Sequence, residues 1–129
     1  MKNFDEWNKK KKEIDTSYKH KNTHRGEIWW AFVGLNIGYE QNGGKRFQRP
    51  IIILKRVNYK LVLVAPLTSQ VKNHESHFYY QFKNTKVKST AIIPQIKIIS
   101  TKRLHRKIEK ISNGEYTNLI KTIYKFFLH

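Results

Sequence analysis

The hydrophobic pattern changes period along the chain. Phe4, Trp7, Ile14 and Tyr18 fall near one helical stripe of FDEWNKKKKEIDTSY, with acids early and lysines later, an order that suits the helix dipole. The pattern predicts a short amphipathic helix and a polar linker over residues 19–25. From Gly26 the period becomes that of strands. EIWWAFV is aromatic and branched, and RPIIILKRV and LVLVAPL, separated by Asn58-Tyr59-Lys60, predict an antiparallel hairpin. Their unbroken apolar runs require cover on both faces. SHFYYQF and the segment from Val87 to Ile93 predict a second pair around Asn84, ended by Pro94, which cannot donate to a ladder. The C-terminal part reads as helical. Ser112-Asn113-Gly114-Glu115 has capping-box spacing, and Tyr116, Leu119, Ile120, Ile123 and Phe127 form one apolar face. Short antiparallel strands closed by a helix describe a small β-barrel-like α+β domain over residues 25–129, preceded by a basic helical extension over residues 1–24.

One loop does not fit a purely connecting role. GYEQNGGKRFQRP, residues 38–50, carries three cations and an acid to the mouth of a strand, where a plain connection needs only turn chemistry. Its charge belongs to a wider excess. The 129 residues include 26 Lys and Arg against 9 Asp and Glu, a formal charge of +17. The first 25 residues hold eight cations and four acids, and the remainder eighteen and five, so the folded part itself is basic. Such a domain calls for a polyanionic partner, with nucleic acid first, then an anionic membrane or an acidic protein. The absence of cysteine excludes disulfides, thiolate metal sites and a cysteine nucleophile. No apolar run approaches membrane-spanning length, and the N-terminus lacks a signal-peptide core, so a cytoplasmic, soluble protein is expected.

The chain carries no Walker loop, no GxSxG elbow, no HExxH and no carboxylate cluster suited to magnesium. A nuclease built from it would need no metal and no cofactor. It would need cations for the phosphate and a group to move a proton. The candidates are Arg49, Arg46, Lys45, the Thr68 hydroxyl, and His74 or His77. Arg49 stands before Pro50, which holds it extended at the strand start, and Thr68 closes the following strand in APLTSQ. A hairpin would carry both to one end of the sheet, where guanidinium and hydroxyl could grip one phosphate. The plainer alternatives are a solvated strand-end arginine and a threonine making a turn bond. His77 is set just inside a strand beside the expected groove, as a proton shuttle or a partly exposed strand histidine. His74 falls in the adjacent loop and His105 in a basic helix, both solvated. Lys9 to Lys12 read as a wet helix face. Of Trp29, Trp30, Tyr79 and Tyr80, which could stack bases, one of each adjacent pair must point into the core.

Five segments in register carry a resemblance: Arg25-Gly-Glu-Ile-Trp-Trp; Gly38-Tyr-Glu-Gln with Gly43-Gly44; Arg49-Pro50-Ile-Ile-Ile-Leu; Val64-Ala-Pro-Leu-Thr-Ser; and Gln95-Ile-Lys-Ile-Ile-Ser-Thr-Lys-Arg-Leu104. Over about residues 25–127 the chain resembles the MazF/PemK toxin endoribonucleases, and its first residues look like the extension of a PemK-like branch. The resemblance implies an SH3-like barrel that works as a homodimer. It implies a metal-independent enzyme that cuts single-stranded RNA at short sequences and is paired with an acidic antitoxin. Attack by the RNA's own 2′-hydroxyl would leave 2′,3′-cyclic phosphate and 5′-hydroxyl ends. The family's catalytic arginine and threonine fall on Arg49 and Thr68, with His77 at a position where some relatives have a histidine. The RNA-binding positions it implies are Arg25, Glu40, Gln41, Lys45, Arg46, Ser69 and Gln95, with the loop as a flap over the RNA groove. Between Gly44 and Arg49 the chain is longer than in compact members, which leaves Arg46 as the alternative phosphate ligand. Pro50 favours Arg49. Two rival readings keep the fold: a CcdB-like gyrase poison, against which stands the FFLH terminus without a tryptophan, and a non-catalytic RNA-binding module.

Overall fold

The computed structural model describes residues 4–33, 47–70, 77–86 and 88–129. Helix α1, Phe4–Ser17, opens with Asp5 and Glu6 in its first turn. Strands β1, Glu27–Phe32, β2, Gln48–Arg56, and β3, Leu61–Thr68, form an antiparallel meander. Two short strands follow, β4, Tyr79–Gln81, and β5, Thr90–Ile92, then β6, Lys97–Ser100, β7, Leu104–Lys110, and helix α2, Asn113–Leu128. The sheet runs in the order β4–β5–β3–β2–β1–β7, with β6 pairing the outer half of β3. All the pairings are antiparallel, and the ends of the sheet do not meet: the architecture is an open α+β barrel-like sheet flanked by two helices.

The unbroken apolar runs of β2 and β3 are covered on both faces, as their composition requires. Ile28, Ile52, Leu54, Ala65, Leu67 and Ala91 pack with Leu119 and Ile123 of α2. The opposite face collects Trp29, Ala31, Ile51, Ile53, Val62, Val64, Ile99 and Leu104. Within the adjacent aromatic pairs, Trp29 and Tyr80 turn inward, and Trp30 and Tyr79 stay half-buried. Helix α1 docks by its apolar stripe. Ile14 is buried, the Trp7 ring meets Phe47 at 5.5 Å, and Lys102 Nζ donates to the Asp15 carbonyl at 3.0 Å.

Three local expectations are corrected. Residues 104–110 form a strand, so His105 lies on β7, its ring 5.6 Å from Phe32, and not on a helix. Arg, Lys and Glu are good helix formers, but pairing with β1 outweighs that local preference. On α2, Phe127 is 69% exposed, and the neighbouring Phe126 packs instead, against Phe78 at 5.4 Å. Ser112 caps the helix as expected, accepting from Glu115 N at 3.1 Å. The Glu115 carboxylate does not return the bond. It reaches across to Tyr80 Oη and to the amides of Lys83 and Asn84.

Glu27, at the start of β1, is another buried carboxylate. It accepts from His24 N at 3.0 Å and Trp29 Nε1 at 3.1 Å, with Lys107 Nζ at 3.6 Å. Burial alone would raise its pKa, but these donors and the lysine charge prevail and hold it below the usual carboxylate value. A depressed folded-state pKa means that the stabilisation is present above the unfolded value. It is lost as pH falls through the folded value. Glu27→Gln is therefore expected to cost about 2 kcal/mol at neutral pH and to flatten the loss of stability below about pH 4. Urea unfolding of both proteins across that range is the measurement, and an unchanged acid limb would refute the assignment.

Candidate active site

The hairpin register builds the site. On β1 and β2, Ala31 lies opposite Arg49, and on β2 and β3, Ile51 lies opposite Pro66. Continuing that second register by two residues sets Arg49 opposite Thr68. Thr68 in turn pairs Thr90, and Thr90 pairs Gln81. Arg49, Thr68 and Thr90 thus form one row across the end of the sheet, with paired side chains sharing a face. Pro50, the third residue of β2, lies opposite Trp30 and holds the preceding Arg49 extended.

Both expected catalytic groups are recessed. Arg49 is 1% exposed and Thr68 3%. Arg49 Nη2 donates to the Leu67 carbonyl at 3.4 Å, which ties the guanidinium to the strand that ends at Thr68. Thr68 Oγ1 accepts from Gln70 N at 3.2 Å, so its own O–H proton can be directed at an acceptor. A guanidinium in so dry a setting acts on a developing negative charge far more strongly than one in water.

One further cation feels the charge of the site. Lys97, opposite Val64 on the β6–β3 ladder, has its pKa held below the ordinary lysine value by burial and then by the charges of Arg103 and Arg49. Lys97 as a residue is exposed, and the shift reflects where its ammonium ends, since a lysine stem and head see different surroundings. The Arg103 guanidinium lies 5.6 Å from the centre of the Trp7 ring of α1. Sequence reasoning singled out neither cation, although both lie inside the QIKIISTKRL segment.

The remaining candidates scatter. Ser69 is exposed next to Thr68, and Gln95 lies in the 3-10 turn Ile93–Gln95. Arg25 precedes β1, at the end of that strand remote from Ala31, with its guanidinium 5.2 Å from the Tyr116 ring centre. His77 lies in the turn before β4, not within a strand, and stacks on His129 at 4.8 Å. His77 lies four positions before Gln81, the β4 residue on the Thr68 row. Glu40, Gln41, Lys45, Arg46 and His74 lie outside the described residues. Among the described residues no group of three or more His, Cys, Asp or Glu could hold a metal ion, and no helix is long and apolar enough to cross a membrane.

Fold and site together define a basic α+β domain that presents a guanidinium and a hydroxyl on neighbouring strands at one end of an antiparallel sheet. Residues 24–127 match the model of the PemK-like, MazF-like toxins of type II toxin–antitoxin systems, and the chain belongs to that family. Helix α1 lies outside the matched span. Among solved structures, the fold is similar to that of MazF from Deinococcus radiodurans at 16% identity, with 84% of this chain and 99% of that one covered and a TM-score of 0.65. An endoribonuclease from a mycobacterial species, in complex with its cognate antitoxin, aligns at 9% identity over 82% and 95% of the two chains, with a TM-score of 0.65. The Mycobacterium tuberculosis toxin MazF-mt6 aligns at 20% identity over 78% and 95%, with a TM-score of 0.57. No curated protein of similar sequence was found.

Proposed function

We propose that this toxin is an endoribonuclease that cleaves single-stranded RNA without a metal ion. The observation that supports the reading is the hydrogen bond from Arg49, near the start of β2, to the Leu67 carbonyl beside Thr68 at the end of the paired strand β3, inside the span that matches the toxin family. The nucleophile is the substrate's own 2′-hydroxyl. It attacks the adjacent phosphorus, the bond to the 5′-oxygen breaks, and the products end in a 2′,3′-cyclic phosphate and a 5′-hydroxyl. The protein's task is to hold that hydroxyl in line and to neutralise the charge that builds on the phosphoryl oxygens. Arg49 supplies the charge. Thr68 is too weak an acid to serve as a base, so it donates a hydrogen bond to a phosphoryl oxygen. Lys97, which feels the Arg49 charge, adds positive potential. His77 is assigned no step in this scheme.

The partners follow the same reading. A charge of +17 suits an acidic antitoxin that covers the cations RNA needs, and solved relatives are described as complexes with a cognate antitoxin. The working form is a homodimer. Cleavage of a long defined RNA is expected to persist in excess EDTA, with 2′,3′-cyclic phosphate ends identified by mass spectrometry, and to stop when an acidic antitoxin is added. Activity lost on chelation and restored by magnesium, or linear 3′-phosphate ends from the first turnover onward, would sink the mechanism.

A further inference from the structure

At the end of the meander remote from Arg49, a cavity of about 320 Å³ opens between the chain entering β1 and the far end of β2. Its walls are Thr23, His24 and Arg25 on one side, Leu54, Lys55 and Arg56 on the other, and Tyr116 of α2. Three permanent cations and a titratable imidazole thus surround one opening, and none of the lining residues is acidic. Lys55 is six residues along β2 from Arg49, roughly 20 Å, so this is not the catalytic row.

The inner walls are fixed, while Lys55 and Arg56 stand exposed at the rim. Gly26 adopts φ +86°, where a side chain is strained, and its turn is tied on both sides: Gly26 N donates to the Ile53 carbonyl at 2.7 Å, and its carbonyl accepts from Ile111 N at 2.9 Å. Tyr116 Oη donates to the Leu54 carbonyl at 2.5 Å and clamps the β2 wall to α2. Burial raises the tyrosine pKa, against the pull of Arg25, so the hydroxyl remains a donor. The Arg25 guanidinium lies over the same ring, which holds it at the cavity edge. His24 faces Glu27 at 3.5 Å, and that carboxylate is otherwise engaged with β1.

One group in this frame is unsatisfied. Thr23 is fully buried, and its Oγ1 finds no hydrogen-bond partner among the described residues. A buried hydroxyl without a partner costs about 1–3 kcal/mol, so in a native fold it calls for a bound water, ion or ligand to complete it. Threonine hydroxyl, two guanidiniums and an ammonium around a small cavity are the donor set of a phosphate group.

We propose that this cavity is a phosphate-binding site, separate from the catalytic row, in which Arg25, Lys55 and Arg56 hold the charge and Thr23 Oγ1 donates to one phosphate oxygen. The ligand is a phosphate monoester, carried by a free nucleotide or by the 5′ terminus of an RNA.

The test is titration of the full chain with inorganic phosphate, followed by the amide shifts of Thr23 and Arg25 in NMR spectra. Saturable shifts are expected at these residues. Thr23→Val and Arg56→Gln should each weaken binding about tenfold, the effect of losing one charge-assisted hydrogen bond. Thr23→Val removes an unsatisfied hydroxyl from a buried place without changing shape. It should melt at or above the parent temperature, which separates lost binding from lost fold. Two 2′-deoxy oligonucleotides, one with a 5′-phosphate and one with a 5′-hydroxyl, identify the source. Tighter binding of the phosphorylated one, abolished by Arg56→Gln, assigns an RNA terminus. Equal oligonucleotide affinities beside saturable phosphate binding assign a free nucleotide. Absence of saturable shifts, or equal phosphate affinity in parent, Thr23→Val and Arg56→Gln, overturns the site.

Discussion

Arg49→Lys is expected to lower kcat/KM for cleavage of a defined single-stranded RNA by about a thousandfold while leaving a folded protein. The substitution keeps the positive charge, so an effect of charge alone would leave most of the activity. The guanidinium does more than carry charge. It ties to the Leu67 carbonyl through Nη2, beside Thr68, with a planar fork of donors that an ammonium cannot reproduce. Arg49→Ala should be as inactive and also less stable, because the residue is 1% exposed and its truncation leaves a void between β1 and β3. Single-turnover cleavage beside thermal unfolding separates the two effects. A lysine variant within tenfold of the parent, or an alanine variant still active while Arg46→Ala is dead, would move the phosphate ligand to the preceding loop.

The second large effect concerns stability. Glu115→Ala should destabilise the protein by roughly 3 kcal/mol or more, lowering the melting temperature by about 10 °C. The carboxylate is 4% exposed and accepts from the Tyr80 hydroxyl and from the amides of Lys83 at 3.2 Å and Asn84 at 3.0 Å. Removal of this acceptor strands donors from β4 and the turn that follows, inside a low-dielectric network where each is worth more than at the surface. Burial first, and then Glu115 itself, pushes the Tyr80 hydroxyl pKa upward, so the tyrosine stays a donor through the physiological range. Glu115→Gln retains an acceptor and should lose less than half as much. Circular dichroism melting of the two variants measures this, and a shift under 3 °C for alanine would refute the network.

Much of the architecture was legible because local rules and packing agreed. IIIL and LVLVA could only be strands covered twice, Asn58-Tyr59-Lys60 had to be their turn, and Ser112 had to cap a helix with an apolar stripe. That Arg49 and Thr68 come to one end of the sheet was equally readable, since a hairpin carries the start of one strand to the end of the next. Their exact register was not: a bulge between Ile53 and Lys55 shifts it by one residue from what the turn alone would set. Local rules failed where the decision came from elsewhere in the chain. LHRKIEK has the charges of a helix and no strong alternation, and β1 made it a strand. His77 carried the right chemistry for a proton shuttle, but its position depends on how β4 sits beyond β5, which no local pattern records.

By itself, then, the sequence determined a basic α+β domain, a covered hairpin and the arginine and threonine that close it, because charge, period and turn chemistry act over a few neighbouring residues. Tertiary structure alone decided three other things. It set Lys97 on β6 within the electrostatic reach of both Arg49 and Arg103. It turned Glu115 from a helix cap into the anchor of Tyr80. It closed Thr23, Arg25 and Arg56 around one cavity, across more than 30 residues of chain. Each of these joins residues far apart in sequence, and the entropy of bringing them together is met by the two apolar faces of the sheet rather than by the residues themselves.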